Sequence, residues 1–406
     1  MFILENTQKF YGSVTKTFHW LTAALILTLI PLGIFANRMA HQIKAGGGTD
    51  PDLIQQTAFL FSLHKTLGVT VFFVALARIL WAISQPKPNG LHPDRKVETW
   101  LAETVHYLLY GSLILVPLSG WVHHAASTGF APIWWPFGQS LPFVPKSESL
   151  SHTAASLHII FERVLVISLL LHIAGALKHH FIDRDSTLLR MLPGTPSVPD
   201  TAKGHGTVLP ILTAGVAYIA ALGVGVSLGL FEHAKTAQTE ALAAVETDWT
   251  VQSGDINIAI TQFGSKVEGS FNDWTAAITF DPEVRRGPAG TVDVTISIPS
   301  LTLGSVTDQA MGADFFDATT YPTAKFQADL NAVDDGHMAE GTLTIRDQTM
   351  PLSFEFILTS DGDTTTANAE VPLSRLDFGV GSNMPDESSL AFGVDVVISL
   401  SATPTK

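Results

Sequence analysis

Four histidines lie within long apolar stretches of this sequence, where an ionisable ring is costly. They are His19, His64, His158 and His172. A polar residue at membrane depth is usually retained for a function, because its transfer from water into hydrocarbon is unfavourable. His158 and His172 are 14 residues apart, which on a helix corresponds to a rise of about 21 Å and a rotation within roughly 40° of whole turns. We therefore expect these two rings on one helix face at two depths.

Five stretches of the chain are long and apolar enough to cross a bilayer, which takes about 20 helical residues. They are His19–Ala36, Leu63–Ile83, Thr104–Val122, Ala154–Lys178 and Thr207–Phe231. Basic residues are concentrated before the first stretch, between the second and third, and between the fourth and fifth. By the positive-inside rule these connections are cytoplasmic. The sequence therefore predicts a cytoplasmic N-terminus and places everything after Phe231 on the opposite side.

In this topology each of the four histidines lies at the same membrane depth as one histidine of another helix. The first stretch enters from the cytoplasm, so His19 lies at the level of His172, whereas His64 lies at the outer level with His158. Two facing imidazoles in a bundle core suit bis-histidine ligation of haem iron. Zinc fits less well because it prefers more ligands, and a proton relay leaves the matched depths unexplained. The chain has no cysteine, so the two predicted b-type haems are held without thioether bonds.

Other polar residues of the stretches have weaker assignments. Arg78, Arg163 and Lys65 are candidates for binding haem propionates, although Lys65 could extend its amine to the interface and Arg163 could pair with Glu162. His106 could be an alternative ligand or a proton donor, but the sequence favours a packed polar residue. The remaining histidines, at the ends of the stretches or in connections, are assigned no role.

The C-terminal part differs from the rest in charge and in periodicity. Up to Gly206 the chain has 15 basic and 11 acidic residues, net charge +4, and from Thr207 onward 8 basic and 26 acidic residues, net charge −18. The basic residues are few and scattered, so no nucleic-acid partner is expected. After Ala244, segments such as "INIAI" and "VDVTISI" alternate with period two and are separated by turn residues. About eight such strands predict an antiparallel barrel or sandwich.

The membrane part resembles the bacterial cytochrome b561 family of four-helix di-haem cytochromes. The similarity runs from about Lys9 to Pro193 and rests on "TKTFHW", "SLHKTLGV", "SLH" and above all "LHIAGALKHHFIDRDSTLLRMLP". The resemblance implies the same pairs, His19 with His172 and His64 with His158. It also implies electron transfer across the membrane, with ubiquinone or another isoprenoid quinone as partner and superoxide as the donor proposed for some members.

The C-terminal part resembles the YceI-like periplasmic proteins, whose lipocalin-like barrel holds an isoprenoid chain. The residues that carry the resemblance are "VEGSFNDWTAAITFDPE", "DFFDATTYPTAKF", "GTLTIRDQT" and "RLDFGVG". Where the family often has Asp-x-His-Leu, this chain has "DQAM" at Asp308–Met311, which puts head-group recognition there in doubt. Candidate lipid-binding residues are the aromatic ones, which could also simply fill a core: Phe271, Trp274, Phe315, Phe316 and Phe326.

Together these features predict a multidomain protein of the bacterial inner membrane. An all-α four-helix bundle and a fifth transmembrane helix precede a soluble, all-β, lipocalin-like antiparallel barrel in the periplasm. The expected domains are the di-haem bundle at 9–193, a Pro/Gly linker at 194–206, the fifth helix at 207–231, a second linker at 232–246 and the barrel at 247–402. The fifth helix could dock on the bundle or be a simple anchor. With "ALAA" ending at Ala244 it also resembles a cleavable signal peptide, and cleavage would release the barrel.

The predicted function is electron exchange between haem and a quinone, fed by superoxide or another periplasmic donor. No catalytic acid–base pair is visible, so any quinone-linked oxidoreductase chemistry is confined to haem electron transfer. The expected partners are the lipid bilayer, a quinone and an isoprenoid lipid in the barrel. The alternative is a membrane-anchored periplasmic lipid carrier whose helices only tether the barrel. Matched histidine pairs favour the first interpretation, because a tether has no use for them.

Overall fold

The computed structural model describes most of the chain. The two predicted linkers lie almost entirely outside the described residues. The described residues are 4–45, 50–92, 94–127, 131–194, 208–232, 242–243, 245, 247–334, 336–384, 386–387 and 389–405. The proposed cleavage position after Ala244 falls on a residue outside this set. The described residues form two compact units, one mainly helical and one mainly of strands.

Five helices of the described chain are long and apolar enough to cross a membrane. They are α1 (Ser13–Ala45), α2 (Pro51–Ser84), α3 (Lys96–Ala126), α4 (Glu148–Lys178) and α5 (Leu209–Ser227). Ser147 caps α4, its hydroxyl accepting a hydrogen bond from the Leu150 N–H at 3.3 Å. A π-helical turn, His179–Asp183, extends α4 and ends where Arg184 adopts a left-handed conformation, φ 55°. Helices α1 to α4 extend beyond the predicted stretches because their polar ends are helical too.

Helix α5 docks on the bundle, so the structure favours docking over a simple anchor. Tyr218 Oη donates to the Leu108 carbonyl at 2.8 Å and lies 2.9 Å from Ser112 Oγ, both on α3. Gly111 faces the Tyr218 ring, where a Cβ atom would lie 2.7 Å from Oη. A small residue at the contact lets the two helix backbones approach closely, as is common in membranes.

The strand-rich unit is one curled antiparallel sheet, called the barrel below. Its strands are β1 (Trp249–Gln262), β2 (Ser265–Phe271), β3 (Trp274–Phe280), β4 (Gly287–Ser297), β5 (Leu301–Thr302), β6 (Thr323–Val333), β7 (Gly336–Ile345), β8 (Gln348–Asp361), β9 (Thr364–Ser374) and β10 (Leu390–Pro404). The order across the sheet is β3-β4-β6-β7-β8-β9-β10-β1-β2-β5. A one-turn helix, α6 (Thr307–Ala310), precedes β6.

The predicted fold class is confirmed, but the strand count is higher than expected. Ten strands are present in the described residues, where the sequence predicted about eight. Strand β5 has only two residues, too few to show alternation. Strand β9 begins "TTTANAE", and its only buried residue is Val371. Because its first residues are nearly all small or polar, the sequence of β9 shows no clear alternation of apolar and polar residues.

The sheet curls because the residues around the start of β1 bond to β3, at the far end of the strand order. The Asp248 N–H donates to the Ile278 carbonyl at 3.1 Å, and Trp249 Nε1 donates to the Phe280 carbonyl at 2.8 Å. Curling turns one face of every strand inward. Strand β6 shows this most clearly, with alternate residues from Ala324 to Ala332 buried. The barrel interior is therefore apolar.

Candidate functional sites

The first histidine pair joins α1 to α4. The His19 and His172 ring centroids are 6.0 Å apart, with the ring planes tilted by 55°. Two imidazoles on opposite sides of one metal ion, each bound through nitrogen at about 2 Å, have centroids roughly 6 Å apart. The spacing between these rings is therefore the one expected if both bound a single iron atom.

Two further side chains belong to this cluster. The His106 ring centroid, on α3, lies 5.0 Å from that of His172 in an edge-to-face arrangement, and His106 Nδ1 is 2.6 Å from the Ala102 carbonyl. Arg78 approaches His19 Nδ1 at 3.4 Å and lies over the Tyr110 ring, 5.4 Å from its centroid. The structure thus brings Arg78 to the predicted inner site, together with His106, for which the sequence favoured packing over a role as alternative ligand or proton donor.

The second pair, His64 on α2 and His158 on α4, shows the hydrogen bonding expected of metal-binding imidazoles. His64 Nδ1 lies 3.2 Å from the Leu29 carbonyl, and His158 Nδ1 lies 2.8 Å from the Val116 carbonyl. A carbonyl partner makes Nδ1 the protonated nitrogen and leaves the Nε2 lone pair free for a metal. This arrangement fixes both the tautomer and the orientation of each ring.

Glycines make room for these two rings. A Cβ atom on Gly33 would lie 2.9 Å from His64 Cε1, and one on Gly120 would lie 3.0 Å from His158 Nδ1. Both distances are shorter than ordinary van der Waals contact. Only glycine therefore lets α1 and α3 approach the rings this closely.

The other two predicted propionate partners differ from each other. Lys65 is buried, 8% exposed, and adjoins His64 in the chain. Arg163 has a side chain that is 72% exposed and pairs with Glu162 at 3.3 Å, which is the local alternative that the sequence left open.

These observations fit haem with bis-histidine coordination. The donor set is four imidazoles and no thiolate, two rings have their Nδ1 atoms on backbone carbonyls, and the other two have centroids 6.0 Å apart. Glycines line two of the rings. Arginine and lysine side chains lie near the pairs, where carboxylates of a bound group would be neutralised.

A polar cluster that the sequence did not predict lies after α2 and at the end of α4. His92 Nε2 and His179 Nδ1 bond to the same oxygen, Asp185 Oδ2, at 2.9 and 2.7 Å, and the two rings stack with centroids 6.0 Å apart. Burial raises the pKa of Asp185, but hydrogen bonds from Thr187, His92 and His179 outweigh burial and lower that pKa to about 2. No sequence pattern indicates this cluster, because His92 and Asp185 are 93 positions apart in the chain.

The barrel contains two adjoining cavities of about 190 and 140 Å³. An engineered apolar cavity of about 150 Å³ is already large enough to hold benzene. Five side chains border both cavities and form the wall between them: Val294, Phe326, Phe354, Ile398 and Leu400. The larger cavity is lined by all five aromatic residues predicted to bind lipid: Phe271, Trp274, Phe315, Phe316 and Phe326.

Arg375 lies at one end of the larger cavity and is fully engaged by backbone. Its guanidinium donates five hydrogen bonds, to the carbonyls of Val380, Gly381, Met384, Leu390 and Ala391, at 2.6 to 3.1 Å. A guanidinium has five N–H donors, so none remains for a ligand. Burial lowers the pKa of Arg375 from its usual value. Arg375 therefore organises the end of the barrel and does not bind an anion.

Two family descriptions match the chain. Residues 10–194 match prokaryotic cytochrome b561, and residues 249–403 match the YceI-like domain. Cytochrome b561 homolog 2 of Escherichia coli (strain K12) is 27% identical over 189 residues, 46% of this chain and 93% of that protein. A protein named probable superoxide oxidase CybB, of Yersinia pestis, is 26% identical over 132 residues, 32% of this chain and 73% of that protein.

The C-terminal part has relatives of its own. A UPF0312 protein of Yersinia pestis (strain Pestoides F) is 31% identical over 144 residues, 34% of this chain and 73% of that protein. Among solved structures, Burkholderia cenocepacia BcnA is 30% identical, with a TM-score of 0.35, 37% of this chain covered and 96% of that chain. The Campylobacter jejuni YceI protein is 20% identical, with a TM-score of 0.31, 43% of this chain covered and 98% of that chain. Residues 10–194 thus match the prokaryotic cytochrome b561 family, whose members are membrane electron-transfer proteins, and residues 249–403 match the YceI-like family.

Proposed function

We propose that this protein is a di-haem b cytochrome that exchanges electrons with an isoprenoid quinone. His19 and His172 hold the cytoplasmic-side haem, and His64 and His158 hold the periplasmic-side haem. The observation that carries the proposal is the geometry of the pairs. One has a 6.0 Å centroid separation, and the rings of the other are oriented by the Leu29 and Val116 carbonyls.

The haem iron supplies the one-electron chemistry, and the protein positions and tunes it. Histidine ligation and apolar surroundings would set the redox potential, and the backbone carbonyls on Nδ1 would raise the basicity of His64 and His158 as ligands. Arg78 and Lys65 place positive charge next to the two pairs, which favours haem carboxylates there. Arg163 is also proposed to bind a haem propionate, although its side chain is exposed and paired with Glu162.

The electron donor is proposed to be superoxide or another small periplasmic molecule. The support is the name of the Yersinia pestis relative, which is 26% identical over 132 residues of the membrane part. The charge distribution of the short connections supports a cytoplasmic N-terminus. With five crossings from a cytoplasmic N-terminus, the barrel, residues 247–402, is proposed to lie in the periplasm.

The barrel is proposed to hold an isoprenoid lipid, with a quinone, in its oxidised or its reduced quinol form, as the favoured occupant. Its support is the apolar interior, in which two cavities adjoin and aromatic rings line the larger one. Phe271, Trp274, Phe315, Phe316 and Phe326 would contact the chain of the lipid. Sharing one polypeptide with the cytochrome raises the effective concentration of the barrel at the membrane to roughly millimolar.

A haem count on the purified full-length protein tests the proposal. The pyridine haemochrome assay should give two b-type haems per chain, both extracted by acid-acetone because no thioether bond holds them. His172→Ala or His19→Ala should remove one haem, and His64→Ala or His158→Ala should remove the other. His41→Ala, in α1 but away from both pairs in the sequence, is the matched control and should keep two haems. Wild-type protein with one haem would contradict the di-haem proposal, and wild-type protein with none would leave the tethered lipid carrier as the function.

A further inference from the structure

Gln262 occupies an inward position of β1 that the strand pattern reserves for an apolar residue. Ile256, Ile258 and Ile260 precede it at period two, and all four side chains line the larger cavity of the barrel. Gln262 is buried, with 5% of its surface exposed. Its Oε1 atom has no hydrogen-bond partner among the described residues. A buried polar atom without a partner is unusual in a native protein and points to a group that the chain itself does not supply.

The position of Gln262 defines a polar end of this cavity. It is paired across the sheet with Leu390, whose carbonyl accepts a hydrogen bond from Arg375. Of the described residues that line the larger cavity, those with polar side-chain atoms are Gln262, Gln309, Ser374, Arg375 and Trp274, whose indole is only partly buried. Arg375 is saturated by backbone carbonyls, and Gln309 and Ser374 are only partly buried. Gln262 is therefore the buried group left to meet the polar part of a ligand.

We infer that Gln262 recognises the head group of the lipid held in the barrel, and that this head group is a neutral one bearing a hydroxyl. This inference rests on the proposed lipid-binding function of the barrel and adds the chemistry of its ligand. The amide oxygen accepts a hydrogen bond, so its partner must donate one, as the hydroxyl of a quinol or of a prenyl alcohol does. An anionic head group would find no free guanidinium donor here.

The apolar part of such a ligand has a defined direction. The smaller cavity adjoins the larger one across the shared wall. Among the described residues that line it, Thr365 and Asn368 are polar, and the Trp249 indole N–H already donates to the Phe280 carbonyl. A prenyl chain with its hydroxyl at Gln262 therefore runs along the larger cavity towards the smaller one. Gln262 acts as a specificity-determining residue, since it selects among lipids with the same tail.

Competition binding on the full-length protein in detergent tests this inference. A photoreactive C15 prenyl hydrocarbon without a head group is the reporter, and its cross-links to peptides of residues 249–403 are quantified by mass spectrometry. This readout ignores ligand bound in the membrane part. The competitors are farnesol, farnesyl methyl ether and the unlabelled hydrocarbon. Farnesol should compete about three- to tenfold better than the methyl ether, which cannot donate, as expected for one net hydrogen bond.

The variant Gln262→Leu should lose this preference and bind farnesol and its methyl ether equally, while still binding the hydrocarbon. Gln262→Met serves as a second apolar variant if the leucine protein does not fold. Gln252→Leu, at an exposed position of the same strand, is the matched control and should keep the wild-type preference. A preference retained in both Gln262 variants, or an equal affinity for the two compounds in the wild type, would overturn the inference and leave the lipid-binding function standing. If no prenyl compound competes in the wild type, the proposed function of the barrel fails, and this inference with it.

Discussion

Replacing Gly120 or Gly33 by alanine should weaken haem binding at the His64–His158 pair. The new methyl group would lie 3.0 Å from His158 Nδ1 or 2.9 Å from His64 Cε1, against an ordinary contact of at least 3.4 Å. The ring must therefore move by a few tenths of an ångström, and at His158 this strains the 2.8 Å hydrogen bond to the Val116 carbonyl. Disturbing the partners that orient metal ligands typically lowers metal affinity by about 10- to 100-fold.

The expected loss of haem binding can be distinguished from the effect of the same substitutions on helix stability, because the two effects have opposite signs. Alanine is favoured over glycine in a helix interior by about 1 kcal/mol, so both substitutions would stabilise an isolated helix. Loss of haem with an intact or stabilised bundle is therefore expected. The assay is haem content per chain after purification, followed by competition with a haem-binding apoprotein to rank affinities. Gly215→Ala, on α5 where a Cβ would contact nothing within 4 Å, is the control. If both variants bound haem as tightly as Gly215→Ala does, the close fit of the glycines to the rings would have no functional meaning.

Three further predictions concern other parts of the chain. Arg375→Met should destabilise the barrel by about 3 kcal/mol or more, because five carbonyls lose a charged donor, and urea unfolding followed by hydrogen exchange in the barrel peptides measures it. The contacts with His92 and His179 help to lower the pKa of Asp185 from its usual value of 3.8 to about 2. The contribution of the ionised carboxylate to folding stability is therefore complete above pH 3.8 and is lost as the pH falls towards 2. The protection of amides 184–191, meaning their exchange rate relative to the intrinsic rate at the same pH, should therefore fall below pH 4 in the wild type and show less pH dependence in Asp185→Asn. Tyr218→Phe should loosen α5 by less than about 2 kcal/mol and leave the haem content unchanged, since one interhelical hydrogen-bonding group is lost, and unfolding of the bundle in denaturing detergent measures the change.

The helices and the histidine positions could be predicted from the sequence because both depend on local pattern. The hydrophobic length of each stretch determines a crossing, and the 14-residue interval places His158 and His172 on one face of α4. The proximity of His19 to His172 followed from topology, and their centroids lie 6.0 Å apart in the structure. His106 was harder to place, since neither depth nor spacing shows which way a ring on α3 points.

Contacts between distant polar residues could not be predicted. The His92–Asp185 pair joins two connections whose paths are set by the ends of α2 and α4, and no periodicity links them. Gln262 was also missed, although the period-two pattern of β1 places it on the inward face. Recognising it requires knowing that its amide oxygen has no partner in the folded barrel. Strand β9 could not be predicted for a related reason, because its first residues are polar and only Val371 is buried.

The wall between the two cavities has a consequence for how the barrel could be filled. Phe326 and Phe354 stand in that wall with centroids 5.3 Å apart and planes tilted by 33°. A phenylalanine ring makes no hydrogen bond to the backbone, so a change in its rotamer would break no strand pairing. As they stand, the two rings help to divide the apolar interior into compartments of about 190 and 140 Å³, so a chain longer than one compartment would require these side chains to change rotamer. Chain length would then affect how fast a lipid enters more than how tightly it is held.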